Sequence, residues 1–139
     1  MTTSILVDSN VLLDVMTLST KWFDWSRAAL KTAIEDSRVV INPIVYAEIS
    51  TRFKDAEELD AQPFMAFLHR EDIPWPAAFM AGRPHVQYRR RGGTRTNTLP
   101  DFFIGAHALV SNHFLLTRDT SRFETYFPTL KIIAPDTHP

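Results

Sequence analysis

Four acidic residues stand where an acid is costly. Asp8 ends the apolar run Ile5-Leu6-Val7, Glu48 lies beside the apolar stripe Val45, Ile49 and Phe53, Asp101 opens the most apolar stretch of the chain, and Asp119 follows Phe114-Leu115-Leu116-Thr117. A carboxylate beside buried surface loses hydration and is tolerated only when paired, hydrogen-bonded or bound to a cation. Several carboxylates in one cleft repel each other, and a hard divalent cation with oxygen ligands, Mg²⁺ or Mn²⁺, relieves that repulsion. Such a cation polarises a phosphoryl oxygen, acidifies a water nucleophile and neutralises the departing oxyanion, so the natural substrate is a phosphodiester. Each acid also has a plain structural role open to it. Asp8 can cap a helix beginning near Asn10, Asp101 can complement a helix dipole, Asp119 with Thr120 and Ser121 can cap a short helix, and Glu48 can pair with Arg52 at i+4.

The elements that must position these acids follow from hydrophobic periodicity. Ile5 to Val7 reads as a strand that stops at Asp8-Ser9-Asn10, after which Val11, Leu12 and Val15 recur at helical spacing. Trp22 to Asp36 is an amphipathic helix, Val39 to Ile41 a buried strand closed by Asn42-Pro43, and Ile44 to Arg52 a helix again. Helical pattern continues from Asp55 to Arg70 with a break near Pro63. Ile73 to Pro76 reads as an extended piece leading into a helix that passes Pro84 and stops at Arg89-Arg90-Arg91-Gly92-Gly93. Thr98-Leu99-Pro100-Asp101 starts a buried helix through Val110. Phe114 to Thr117 is a strand, Ser121 to Phe127 a short helix and Leu130 to Ile133 a last strand. Strands separated by helices predict an α/β domain with a parallel sheet of about four strands, which collects ligands at the carboxyl ends of its strands. Two acids at strand ends and two on neighbouring helices can then converge on one cleft.

The chain has 139 residues, 45% hydrophobic and 12% aromatic, which suits one domain spanning 1–139 and excludes a disordered tail. Its 15 Lys and Arg against 16 Asp and Glu leave a net charge of -1, so it is not a polybasic coating protein. It has no cysteine, which removes disulfides, thiolate catalysis and Cys-based zinc sites and fits a reducing compartment. No basic leader precedes the first strand, and the longest uncharged run, Phe102 to Thr117, is too short and polar for a membrane span. A cytoplasmic protein with no membrane partner is the expectation. Among the other acids, Asp14, Asp24, Asp36 and the run Asp55, Glu57, Glu58 and Asp60 read as solvated surface.

One basic cluster exists. Arg83, Arg89, Arg90, Arg91 and Arg95, with His85 and Tyr88 among them, lead directly into Asp101. Guanidinium groups neutralise phosphates and a tyrosine stacks on an unpaired base, so this is a candidate RNA-contact segment; a helix C-terminus or a surface loop is the alternative. The five histidines lack zinc-site spacing, and His107 reads as a core or interface residue. Trp22, Trp25, Phe64, Phe67, Phe79 and Phe103 read as core or dimer contacts. Motifs for dinucleotides, NTP or a serine nucleophile are absent.

The segments Leu6-Val7-Asp8-Ser9-Asn10-Val11-Leu12, Val45-Tyr46-Ala47-Glu48-Ile49, Leu99 to Ala108 around Pro100-Asp101, and Leu115-Leu116-Thr117-Arg118-Asp119 with Phe123 resemble, in this order, the PIN domain. Specifically they look like the VapC toxins of toxin–antitoxin pairs. The resemblance runs from the first strand to the last, and its specificity lies in four short motifs at compatible spacings. It implies a metal-dependent ribonuclease whose acidic quartet maps onto Asp8, Glu48, Asp101 and Asp119, with Asn10 and Thr117 as supporting polar residues. It also implies a small antitoxin that covers the active site, commonly with an arginine reaching the acids, and a homodimer of toxins. Within that frame Asp8 and Asp101 are direct metal ligands, Asp119 serves a second cation, and Glu48 binds metal or orients water. Two rivals stand beside this reading: a PIN nuclease of RNA maturation or flap cleavage, and a Mg²⁺-binding receiver-like module without nuclease activity. The receiver reading wants a lysine near the late acids, and Lys131 lies past the last of them.

Overall fold

A computed structural model describes residues 3–93 and 98–139. In chain order the elements are β1 (Ser4–Val7), α1 (Ser9–Met16), α2 (Phe23–Asp36), β2 (Arg38–Ile41), α3 (Pro43–Ser50), α4 (Ala56–Asp60), a 3-10 turn (Pro63–Phe67), β3 (His69–Arg70), α5 (Trp75–Arg90), α6 (Thr98–Val110), β4 (Phe114–Leu116), α7 (Ser121–Tyr126) and β5 (Ile132–Ile133). Among the described residues the sheet has five strands in the order β3-β2-β1-β4-β5, and every pairing is parallel. β1 is central, and Ile5, Leu6 and Val7 are fully or almost fully buried. That burial on both faces explains their uninterrupted aliphatic character.

The strand expectation falls one short because β3 is two exposed polar residues, paired to Val40 and Ile41 through the backbone alone. Pro63 opens a 3-10 turn rather than breaking a longer helix, and Trp75 already belongs to α5, with Pro84 inside it. Phe67 and Phe79 do not join the core; they stand 58% and 69% exposed. Among the described residues, no helix is long and apolar enough to cross a membrane.

α6 packs against β1, β4, α3, α5 and α7, and is the most buried helix by composition: Phe102, Ile104, Ala106, His107 and Ala108 are all inaccessible. Gly105 lets α7 approach it. A Cβ there would lie 2.6 Å from Cε2 of Phe127 and 3.1 Å from Cδ1 of Phe123. Both rings are buried, so only a glycine fits this contact without repacking.

Candidate active site

β1 has β2 on one side and β4 on the other, so the chain reverses its winding direction there, and the gap beyond the carboxyl ends of β1 and β4 is where such sheets bind ligands. Val7 pairs with Leu116, and the Asp8 N–H donates to the Leu116 carbonyl at 2.8 Å. Asp8 and Thr117 therefore emerge side by side.

Asp8 occupies the N-cap position of α1 without the usual side-chain capping bond, and the Ser9 N–H is the smallest of the influences on it, so helix capping accounts for little of its carboxylate. It is 4% exposed. Burial is the largest influence on it and pushes its pKa up to about 7; the Thr117 hydroxyl pulls the other way, and the charges of Asp101 and Glu48 raise it further. These three carboxylates are thus close enough to repel one another across the cleft.

Thr117 is inaccessible, and its hydroxyl has every hydrogen-bonding position used. Oγ1 donates to Oδ2 of Asp8 at 2.8 Å and accepts from Nδ2 of Asn10 and from the Asp119 N–H, each at 3.2 Å. One hydroxyl thereby joins the ends of β1 and β4 to the first turn of α1.

Glu48 is brought in by α3, whose start is fixed by Pro43 in its first turn and by the Asn42 side chain accepting from the Val45 N–H at 2.9 Å. Oε1 of Glu48 accepts from the Ser9 hydroxyl at 3.0 Å. Burial raises its pKa against that hydrogen bond, and the Asp101 charge adds to the rise. Asp101 sits in the first turn of α6, where a carboxylate complements the helix dipole, and forms an ion pair with Arg122 of α7.

Asp119 stands differently. Its Oδ1 accepts from the Ser121 N–H at 3.3 Å and the Ser121 hydroxyl at 3.1 Å, so it does hold the start of α7 as the alternative reading of the sequence had it. Its backbone remains tied to Thr117.

Two groups escape the sequence. Asp14, expected at the surface, is 3% exposed: Arg118 grips it through Nε at 2.7 Å and Nη2 at 3.1 Å, and the Ser26 hydroxyl donates to it at 2.7 Å. Asn10, four residues earlier on the same face of α1, accepts from the Arg118 N–H at 3.4 Å. This i, i+4 pair clamps the loop carrying Thr117 and Asp119, and its spacing was the available signal.

The second group is Glu71 with His107 and His113, whose ligand atoms lie within 4.8 Å of one another. Oε1 of Glu71 lies 3.0 Å from Nε2 of His107 and 2.7 Å from Nε2 of His113, and Oε2 accepts from Arg38 at 3.1 Å. Asn42 spends its carbonyl oxygen on Val45, so its amide nitrogen faces Nδ1 of His107 at 3.1 Å. Nδ1 must then accept, and Nε2 carries the proton donated to Glu71. With that tautomer the trio is satisfied as a hydrogen-bonded brace between the sheet and α6. Burial alone would raise Glu71, but bonds from His113, Arg38 and His107 outweigh it and hold its pKa at about 2. Burial lowers the pKa of His107.

The basic cluster divides. Arg89, Arg90 and Arg91 are exposed at the end of α5, with Arg91 5.6 Å from the centre of the Tyr126 ring; Arg83 stacks on Phe79 at 4.4 Å; and Tyr88 is half-buried, edge-on to Phe102. Arg95 lies outside the described residues.

The PIN domain family model matches residues 5–127. The chain belongs to the PIN domain family. No curated protein matches it in sequence. Among solved structures it is similar in fold to FitAcB of Neisseria gonorrhoeae, with a TM-score of 0.70 at 20% identity over 97% of this chain and 99% of that one. It is also similar to VapBC2 of Rickettsia felis bound to a promoter DNA fragment (TM-score 0.69, 21% identity, 94% and 98% covered). DNA-bound VapBC of Salmonella typhimurium compares likewise (TM-score 0.69, 19% identity, 95% and 98% covered). As a PIN domain, the chain has the fold of a nuclease family that works with divalent metal ions.

Proposed function

We propose that this protein is a metal-dependent endoribonuclease that hydrolyses RNA phosphodiester bonds and is the toxin of a VapBC-type toxin–antitoxin pair. The observation that carries the reading is the meeting of Asp8, Glu48 and Asp101 beyond β1 and β4, with a buried Asp8 whose pKa is pushed up to about 7. Burial and the neighbouring charges disfavour the anionic forms of Asp8 and Glu48, and a divalent cation offsets that cost. The donors are all oxygens, which suits Mg²⁺ or Mn²⁺ rather than a softer ion.

Asp8 and Asp101 would hold the cation and Asp119 a second one. When bound, the cation supplies Lewis-acid charge and a more acidic water. The chain's own residues do the rest. Thr117, fixed by Asn10, aims Asp8 into the cleft, and Ser9 orients Glu48. Glu48, whose burial raises its affinity for a proton, accepts one from the attacking water. Attack by water leaves 5′-phosphate and 3′-hydroxyl ends, and no histidine takes part. Arg83, Arg89, Arg90, Arg91 and Arg95 would neutralise RNA phosphates, with Tyr88 beside them. Structural relatives that are complexes of two different proteins support a cognate antitoxin as partner; a homodimer and a cytoplasmic site of action complete the proposal.

The test incubates the purified protein, free of antitoxin, with single-stranded and structured RNAs in Mg²⁺ or Mn²⁺, with a chelator and with Asp8→Asn and Asp101→Asn as controls. Wild type should cut and the controls should not. RNA left equally intact by all three would end the proposal. A triple Arg89/Arg90/Arg91→Ala variant with unchanged, salt-independent RNA affinity would remove the basic segment from it.

A further inference from the structure

Arg122 has no role in the quartet, yet its guanidinium pairs with Oδ2 of Asp101, inside the group of carboxylates just described. It is 18% exposed and the Asp101 side chain 30%, so the pair is only partly screened by solvent. Its Cζ lies 5.9 Å from the centre of the Tyr88 ring, which gives the guanidinium a second surface close by. A guanidinium cannot lose its proton, so the cation and Arg122 compete for one carboxylate. Once turned away from Asp101, its planar fork matches the oxygens of a phosphate, and the phosphate brought to this cleft is that of the RNA.

We propose that Arg122 is an internal counter-charge that exchanges partners: it holds Asp101 until a divalent cation binds, yields that carboxylate to the cation, and then contacts the phosphate of bound RNA. This rests on the nuclease reading. The arginine thus restrains metal binding in the absence of substrate and favours substrate once metal is in place. It is a phosphate contact and not a member of the acidic set.

The experiment titrates Mn²⁺ into wild type, Arg122→Gln and Arg122→Lys by calorimetry without RNA. It then measures kcat and KM for cleavage of a labelled single-stranded RNA at saturating Mn²⁺ over a range of salt. Arg122→Gln should bind Mn²⁺ about fivefold more tightly, the scale of a partly exposed ion pair. Its KM should rise about tenfold, with the salt slope of KM reduced by about one counterion, while kcat changes less. Arg122→Lys should fall between, and it carries the test if the glutamine variant does not fold. Mn²⁺ affinity in the variants equal to or below that of wild type overturns the exchange. Tighter Mn²⁺ binding with unchanged KM and salt slope overturns the phosphate contact. Wild type that binds no Mn²⁺ and cuts no RNA brings down the nuclease reading and this one with it; wild type that does both isolates any failure to Arg122.

Discussion

Replacing Asp8 by asparagine should stabilise the metal-free protein at alkaline pH. A folded pKa of about 7 against 3.8 for the free side chain means that the folded state binds the extra proton between those values. Stability from this group is therefore fully present below pH 3.8, falls as pH rises, and is gone above about 7. At about 1.4 kcal/mol per pH unit the full displacement corresponds to about 4 kcal/mol held against the ionised protein at pH 8, an upper bound. Asparagine keeps an oxygen to accept from Thr117 but adds an amide N–H₂ to a buried position, costing about 1–2 kcal/mol if unpaired. The net gain is about 2 kcal/mol, or about 6–8 °C in Tm for a chain of this length. The assay is thermal unfolding in chelator at pH 4, 6 and 8. The variant should exceed wild type at pH 8 and lose that advantage by pH 4, and Mn²⁺ at pH 8 should raise wild type while leaving the variant unmoved. A variant less stable than wild type at pH 8, or a gap independent of pH, would refute the account of Asp8 as a carboxylate strained by burial and like charge.

Asp14→Asn should cost about 2–3 kcal/mol, below the usual range for a severed buried pair because Arg118 is 31% exposed, and denaturant unfolding would read it. A loss under about 0.5 kcal/mol would mean the clamp on the Thr117–Asp119 loop contributes little. Gly105→Ala should destabilise by about 1–3 kcal/mol through the collision with Phe127 and Phe123, with a lower melting temperature as the measure. Glu71→Gln should flatten the acid limb of stability. The folded pKa of Glu71 is depressed to about 2 from 4.5, so its contribution is present above pH 4.5 and lost as pH falls toward 2; that of His107 is depressed from 6.5, so its cost begins below that pH. Melts from pH 7 to 2 on both proteins should converge at the acid end.

Much of the fold was readable because β1, β2 and β4 are built on short apolar runs closed by Asp8, Asn42-Pro43 and Thr117. A strand buried on both faces leaves little choice of residue. β3 could not be read, since His69 and Arg70 are exposed and their strand character comes from the backbone of β2 beside them. Asp8, Glu48 and Asp101 were visible as acids set against apolar neighbours, because the cost of burying charge is a local property. Pairings between distant segments leave no such trace. Arg122 and Asp101 are 21 residues apart, Arg118 and Asp14 are 104 apart, and Glu71 joins His107 and His113 across 36 and 42 residues. These appear only when helices pack: the i, i+4 spacing of Asn10 and Asp14 marks a shared helix face but not the Arg118 that meets it.

The capping and functional readings of Asp119 were posed as alternatives, and the packing around α7 makes them parts of one arrangement. Asp119 holds Ser121, which begins α7; Arg118, immediately before it, is fixed to Asp14; Gly105 admits Phe123 and Phe127 against α6. Those three restraints hold the segment that carries Arg122, which pairs with Asp101, one helical turn before Gly105 on α6. Asp119 can therefore affect the acidic cleft through α7 without touching a cation. A loss of activity on replacing Asp119 does not by itself identify it as a ligand. A change in Mn²⁺ affinity that persists when Arg122 is already glutamine removes the path through α7 and leaves two: direct coordination, and the tie from the Asp119 N–H through Thr117 to Asp8, which Thr117→Val would cut in turn.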